Sequence, residues 1–528
     1  MDQARPKPLP PVTIHFLGTS AGSGPTSGRN CSSLAVHFSN EIWLFDAADG
    51  SLNRLVQVPL RPTSITRIFI THLHGDHVLG LVAILVAALY PPDGPSVTAG
   101  SSIPQVPKGR PKVDIYGPRG VRKLVRTSLE ITRPSIIDSK EWFAVHELLL
   151  PTEESSVPTS QDDLLGNEVA GRDLYPDEQG VWRCIVPEGS RNAGKGWAVH
   201  AGPIEHRVPS LGFILQEPTP RLPLDTAALI PLLQSNATAL AEQDPPIRHP
   251  LSLLSYLTSV PPPQPFSLPS GEILHPPDPS GVSPRKIVIF GDCTGGTKNA
   301  AFREMCHEPS LLIHECTRAA VPDYIQPSKK MKGVGSDRDA LRSLEVDKRR
   351  HAQEKALLRG HSSPIEVGEF AREIQPKRLI LNHFSVMLKS PHYASTQPFP
   401  PILSPQASAK QSGDSAGPTR TAEEQLTATE LQARLSMQSI ADQVGEVWLD
   451  QEQAGLSGSA TGLAETATQM IVPARDFMAI TFGSHELSHA ESEQIQTHMA
   501  DVASVMRQWK DEGRIKLGRG ADERWLTR

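Results

Sequence analysis

No stretch of the 528-residue sequence reaches the ~18 consecutive apolar residues of a bilayer span, so no membrane segment is expected. Basic charge is not in excess: 52 Lys and Arg stand against 58 Asp and Glu, for a formal net charge of −6. That balance excludes a uniformly basic nucleic-acid coat and leaves local patches as the only route to such contacts. Cysteine is scarce. Cys31, Cys184, Cys293, Cys306 and Cys316 show no paired spacing, so neither a disulfide framework nor a cysteine zinc site is implied. A reducing compartment, cytoplasm or nucleus, is expected. The start, Met1–Pro11, is proline-rich and polar, without the apolar run of a secretory signal or the pattern of a transit peptide. Gly18–Gly24 is followed by neither a helical pattern nor an acidic ribose partner, so no nucleotide cofactor is expected. No internal repeat is visible.

What is present is a core-forming chain, 38% hydrophobic, with abundant proline (49) and glycine (39) that belong in loops and linkers. Short β-rich runs occur at Val12–Leu17, Ser33–Phe38, Glu41–Phe45, Ile65–Thr71 and Val113–Tyr116, and again at Trp197–His206, Gly212–Gln216, Lys286–Phe290, Ser310–His314 and Arg378–Asn382. Helical patterns lie at Val78–Tyr90, Val121–Thr132, Ile365–Ile374 and Glu423–Val447, and Ile471–Phe482 reads as a closing strand. This alternation predicts one α/β domain. It spans 1–390, with insertions at 91–111, 151–190, 217–284 and 318–358. A low-complexity linker follows at 391–420, then the helix and closing strand of the same domain at 421–482, and a tail at 483–528. The insertion 217–284 is expected to have little core of its own.

The strongest chemical signal is His72-x-His74-x-Asp76-His77, directly after a buried strand. In a tight turn two imidazoles can face one metal while the next carboxylate and imidazole face a second; such N/O ligands suit Zn²⁺, with Mn²⁺ or Fe as alternatives. Further ligands are expected at strand ends: His206, Asp292 after KIVIF-Gly, and His383 after RLILN, with Asp292 able to bridge two metals. Paired cations stabilise both oxygens of an in-line phosphodiester displacement. The segment His485-Glu486-Leu487-Ser488-His489 matches a zincin pattern but lies in a polar tail, past the core, where chance explains it better.

These motifs together resemble the metallo-β-lactamase superfamily and, within it, the tRNase Z family. The resemblance covers most of residues 12–390. Phe45-Asp46-Ala47-Ala48-Asp49-Gly50 matches the family's first motif in Asp46 and Gly50. His314-Glu315-Cys316-Thr317, Gly360-His361-Ser362-Ser363 and His383-Phe384-Ser385 resemble later motifs, and Pro25-Thr26-Ser27-Gly28-Arg29-Asn30 resembles the loop that reads the tRNA 3′ end. The resemblance implies a metallo-β-lactamase αββα sandwich with an inserted arm, two zinc ions per subunit and precursor tRNA as substrate. A single copy of the metal loop near the N-terminus resembles the short form and implies a homodimer. The ligand set would be His72, His74, Asp76, His77, His206, Asp292 and His383. Asp76 would orient or deprotonate water, His361 would serve the leaving oxygen under Glu315, and Asp46 would hold a ligand histidine. Pro25, Thr26, Arg29, Asn30, Ser362, Ser363 and Ser385 are the expected substrate contacts, with Arg29, Lys329–Lys332 and Lys348–Arg350 as phosphate patches and 217–284 as the tRNA arm. A small-molecule phosphodiesterase or thioesterase and a non-catalytic RNA-binding relative remain the alternatives. The intact ligand set argues against the latter.

Overall fold

A computed structural model describes residues 10–22, 24–26, 28–89, 111–134, 142–157, 164–165, 167–187, 196–323, 325–326, 338–391, 428–448 and 471–482. Two sheets stack face to face. The first runs, edge to edge, Ala479–Phe482, Val12–Gly18, Ser33–Phe38, Glu41–Phe45, Ile65–Phe69, Val113–Pro118, Phe143–Leu148 and Glu168–Val169, with Asp173–Leu174 also on Phe143–Leu148. The second runs Ile471–Pro473, Leu379–Asn382, Leu311–Glu315, Lys286–Phe290, Ser210–Gln216, Ala198–Ile204 and Trp182–Val186. Each sheet is antiparallel toward one edge and parallel toward the other.

Alternation along the strands decides which core each side chain joins. Ile14, Phe16, Val36, Trp43, Phe45 and Phe69 face the second sheet, where Phe69 meets Phe213 at 5.4 Å between ring centroids. Leu17, Ala35, Ile42, Leu44 and Ile68 face outward onto the helices Leu81–Leu89 and Val121–Thr132. The latter presents Val121, Val125 and Leu129 at helical spacing and stops at Arg133 in a left-handed conformation. The outer face of the second sheet carries Ala300–Cys306, Pro364–Ile374 and Ala428–Trp448. Gly368 lets the last two helices approach, since a Cβ there would lie 2.6 Å from Val447. The result is the αββα sandwich expected from the sequence.

Three expectations need correction. The arm 217–284 does have a core: helices Thr226–Ser235, Ala237–Ala241 and Ser252–Leu257 and the ribbon Phe266–Ser267/Ile273–Leu274 enclose Leu233, Leu240, Leu253, Leu257, Leu268 and Leu274. Segment 151–190 is not a plain excursion, because it supplies edge strands to both sheets. Ile471–Phe482 is two strands, one in each sheet, separated by a turn in which Phe477 has φ 65°. The insertion 318–358 contains the helix Arg338–Leu357, whose end leads directly into Gly360-His361. The expected linker beyond 391, the His485–His489 motif and Lys329–Lys332 lie outside the described residues.

Candidate metal centre

The loops that follow the carboxyl ends of neighbouring strands converge at one end of the sandwich, the usual ligand position of such sheets. Asp46 follows Glu41–Phe45, Thr71 and His72 follow Ile65–Phe69, His206 follows Ala198–Ile204, Asp292 follows Lys286–Phe290, and His383 follows Leu379–Asn382. Asp46 (φ 56°) and His383 (φ 57°) both adopt the left-handed backbone region, which costs a non-glycine residue about 1–3 kcal/mol and persists where surrounding contacts impose it.

All seven sequence-predicted ligands meet. His72, His74, His206 and Asp292 form one cluster; Asp76, His77 and His383 form a second; and Asp292 lies within reach of His383 as well. Asp292 Oδ2 is 3.6 Å from His72 Nε2, while its Oδ1 is 3.2 Å from both His77 Nε2 and His383 Nε2. Asp76 Oδ2 completes the second cluster at 3.5 Å from His383 Nε2 and 3.7 Å from His77 Nε2. It also accepts the Gly22 N–H at 2.6 Å.

The hydrogen bonds around the rings fix their tautomers. His77 Nδ1 donates to Asp46 Oδ2 at 2.6 Å and His206 Nδ1 to the Gly360 carbonyl at 2.6 Å. His383 Nδ1 donates to Thr317 Oγ1 at 2.9 Å, and that hydroxyl donates onward to Glu315 Oε2 at 2.6 Å. His72 Nδ1 donates to Thr71 Oγ1 at 3.0 Å, and that hydroxyl donates to Asp46. Each Nε2 therefore turns a lone pair into the site. His77 Nε2 and His383 Nε2 face each other at 3.2 Å, His72 Nε2 lies 3.0 Å from His74 Nδ1, and buried Asp292 Oδ1 has no hydrogen-bond partner. The Nε2 lone pairs of His77 and His383, facing each other beside a buried carboxylate, are repulsive unless a cation sits among them. The residues present therefore fit a divalent metal, with Asp292 lying between the two clusters.

The electrostatics point the same way. Burial, then the neighbouring His77, keeps His72 well below its ordinary value and hence neutral. Burial would likewise lower His77, but Asp292 and Asp46 override it and raise His77 well above the imidazole range. The field that invites a proton there is one a metal cation would satisfy. Burial would raise Asp76, yet its bond to His383 and the charge of His77 hold it below the usual carboxylate range. His361 stands beside the clusters with Nδ1 3.0 Å from Glu315 Oε1. Burial would lower His361; the bond to Glu315 and that carboxylate's charge raise it instead. Glu315 is 1% exposed and also accepts the N–H groups of Cys293 and Thr317, both at 3.0 Å.

The expected substrate residues divide. Pro25 is exposed, and Thr26 and Ser385 are partly exposed near the site. Arg29 is not available to phosphate: it is 1% exposed, donates to Thr19 Oγ1, the Leu388 carbonyl and the Ala474 carbonyl, and lies over the Phe384 ring. Asn30 is buried and donates to the Asp49 carbonyl. Ser362 is buried between the Cys293 carbonyl and the Gly295 N–H, and Ser363 is the N-cap of Pro364–Ile374 in a capping box with Glu366. These four hold the site's walls in place. The Lys348–Arg350 patch is internally neutralised: Lys348 pairs with Asp323, Arg349 with Glu446, and Arg350 with Asp347. Sequence reasoning missed Thr71 and Thr317 as orienting groups; their one signal is a hydroxyl residue just past a strand and next to a ligand or acid.

Comparison with known proteins gives related sequences. Over 387 residues the chain is 29% identical to the Bos taurus protein named zinc phosphodiesterase ELAC protein 1, covering 72% of this chain and 87% of that one. Over 124 residues it is 39% identical to a ribonuclease Z of Streptococcus pneumoniae, covering 23% of this chain and 35% of that one. The crystal structure of the short form of human tRNase Z superposes with a TM-score of 0.41 at 24% identity, covering 71% of this chain and 93% of that one. No family model matches the chain. In sequence the chain is thus similar to proteins named zinc phosphodiesterase ELAC protein 1 and ribonuclease Z, and its αββα architecture gathers its histidine–aspartate clusters at one end of the sandwich.

Proposed function

We propose that this chain is a zinc-dependent endoribonuclease that hydrolyses the phosphodiester 3′ of the discriminator nucleotide and so removes the 3′ trailer of precursor tRNA. The observation that carries the reading is the paired ligand cluster joined at Asp292, with the His361–Glu315 pair at its side. The names of its relatives, a zinc phosphodiesterase and a ribonuclease Z, support the same chemistry. Two zinc ions per subunit, with Mn²⁺ or Fe as substitutes, and a homodimeric state belong to this proposal.

Divalent ions, when bound, supply charge stabilisation to both the attacking and the leaving oxygen of an in-line displacement. The protein's own residues do the rest. Asp76, held ionised below the usual carboxylate range, accepts a hydrogen bond from the attacking water; its low proton affinity suits orientation better than deprotonation. His361, whose proton affinity Glu315 raises, donates a proton to the leaving 3′-oxygen. Asp46, through His77 and Thr71, holds the ligand rings at fixed angles.

The test is cleavage of a precursor tRNA carrying a 3′ trailer, with and without chelator. Wild type should release an intact trailer, chelator should stop it and zinc should restore it. Asp292→Ala and His74→Ala should abolish cutting. Turnover of a small phosphodiester without any cleavage of precursor tRNA would reassign the substrate and overturn the proposal.

A further inference from the structure

Among the described residues, the candidate phosphate contacts read from the sequence supply no free cation. Arg29 is buried and Lys348–Arg350 are ion-paired. The arm 217–284 carries six acidic residues against Arg221 and Arg248 alone, with no lysine. RNA binding nevertheless depends on cationic side chains at phosphates.

Three arginines meet that need. Arg207 follows the ligand His206, Arg318 follows Thr317, and Arg359 precedes Gly360-His361. All three pack around one loop. Gly360 accepts from His206 Nδ1 and lies so close to Arg207 that a Cβ on it would come within 2.8 Å of Arg207 Cγ. The Arg318 N–H reaches the Ser362 carbonyl at 3.4 Å. Arg207 and Arg359 are exposed and Arg318 is half-buried. Burial, then the like charge of Arg359, lowers Arg318 from its ordinary value, and Arg207 bears on His361 in the same sense. Among the described residues no carboxylate is paired with any of the three guanidinium groups. The neighbouring Glu205 is already engaged by Lys298 at 3.0 Å. Three cations without carboxylate partners gathered around one loop next to a proton donor are costly to the free protein, and an anion seated there relieves that cost.

We propose that Arg207, Arg318 and Arg359 form a phosphate clamp on the His361 side of the metal centre. It grips RNA backbone phosphates flanking the scissile bond and so sets which bond meets His361. This rests on the proposed ribonuclease function. The three are positioning residues, each contributing a phosphate contact, and their positive charge rather than any base-specific bond is what matters.

The experiment measures binding of precursor tRNA to full-length, zinc-loaded protein by anisotropy across a salt series, together with steady-state cleavage. Arg318→Gln, Arg359→Gln and Arg207→Gln should each weaken binding several-fold and flatten the dependence of log K on log salt by about one. KM should rise more than kcat falls, zinc content should stay at the wild-type level, and Arg→Lys should recover most of the salt slope. Unchanged slope and KM in all three variants, with wild type cutting normally, would overturn the clamp alone. Wild type that neither binds nor cuts precursor tRNA overturns the functional reading and the clamp with it. Since Arg207 neighbours a ligand, loss of zinc in Arg207→Gln shifts the decision to Arg318 and Arg359, which together suffice.

Discussion

At His361 two physical effects oppose each other, and the outcome fixes its chemistry. Desolvation favours the neutral ring, but the Glu315 carboxylate at 3.0 Å favours the protonated one and prevails. An imidazole whose proton affinity is raised in this way, beside the ligand cluster, suits the role of proton donor to a leaving group. His361→Ala should therefore slow trailer release by about 10²–10⁴-fold at saturating substrate while bound zinc, measured by atomic absorption, stays unchanged. Because His361 also lies within ligand reach of Asp292 and His383, loss of zinc in that variant would instead make it a ligand. At this scale the ligands were legible because imidazole and carboxylate at strand ends have few other reasons to cluster. Thr71 and Thr317 were not, since a hydroxyl becomes an orienting group only when the fold sets a ring nitrogen about 3 Å away. Arg29 misled for the complementary reason: a basic residue in a site loop reads as a phosphate ligand until the fold turns its side chain inward.

Between elements, the two sheets meet beside the site where Gly291, after Lys286–Phe290, approaches Thr71, after Ile65–Phe69. A Cβ on Gly291 would lie 2.5 Å from both Cβ and Oγ1 of Thr71, and that hydroxyl serves His72 and Asp46. Gly291→Ala should leave a folded protein, by circular dichroism, with zinc affinity reduced about 10–100-fold, the usual cost of disturbing a group that orients a metal ligand. Wild-type affinity in that variant would show that Thr71 can shift freely. Strands such as Lys286–Phe290 and Leu379–Asn382 were readable because both their faces are buried, which selects continuous apolar runs. The arm's core was hidden: its leucines sit on short helices and a two-residue ribbon among prolines, too brief for any period to register. Ile471–Phe482 looked like one strand because composition does not reveal that a chain leaves one sheet and enters the other.

For the molecule as a whole, the candidate metal ligands come from both sheets, so zinc bound among them would tie the sandwich together and its binding free energy would add to folding. Stripping zinc should lower the melting temperature by several degrees by calorimetry, and re-addition should restore it, since ligand at about 1,000-fold over its dissociation constant contributes roughly 4 kcal/mol. An independent contribution to stability lies on the face of the first sheet turned away from the second, opposite to Ile14 and Phe16. His15 is buried beside His37 at 6.2 Å between ring centroids, and burial followed by the charge of His37 lowers it from 6.5 to about 4. Burial lowers His37 as well. In the unfolded chain both rings regain ordinary values, so acid protonates the unfolded state first. The stability tied to His15 is intact above about pH 6.5 and is lost as the pH falls toward 4, by up to about 3 kcal/mol. His15→Gln cannot take up that proton. Urea unfolding of wild type and His15→Gln, both held metal-free so that ligand protonation is common to the pair, should give curves that diverge between pH 6.5 and 4, with wild type losing more. The curves should run parallel above pH 7. A constant offset across the whole range would mean that His15 takes up its proton alike in the folded and unfolded states and that the acid sensitivity of the fold resides elsewhere.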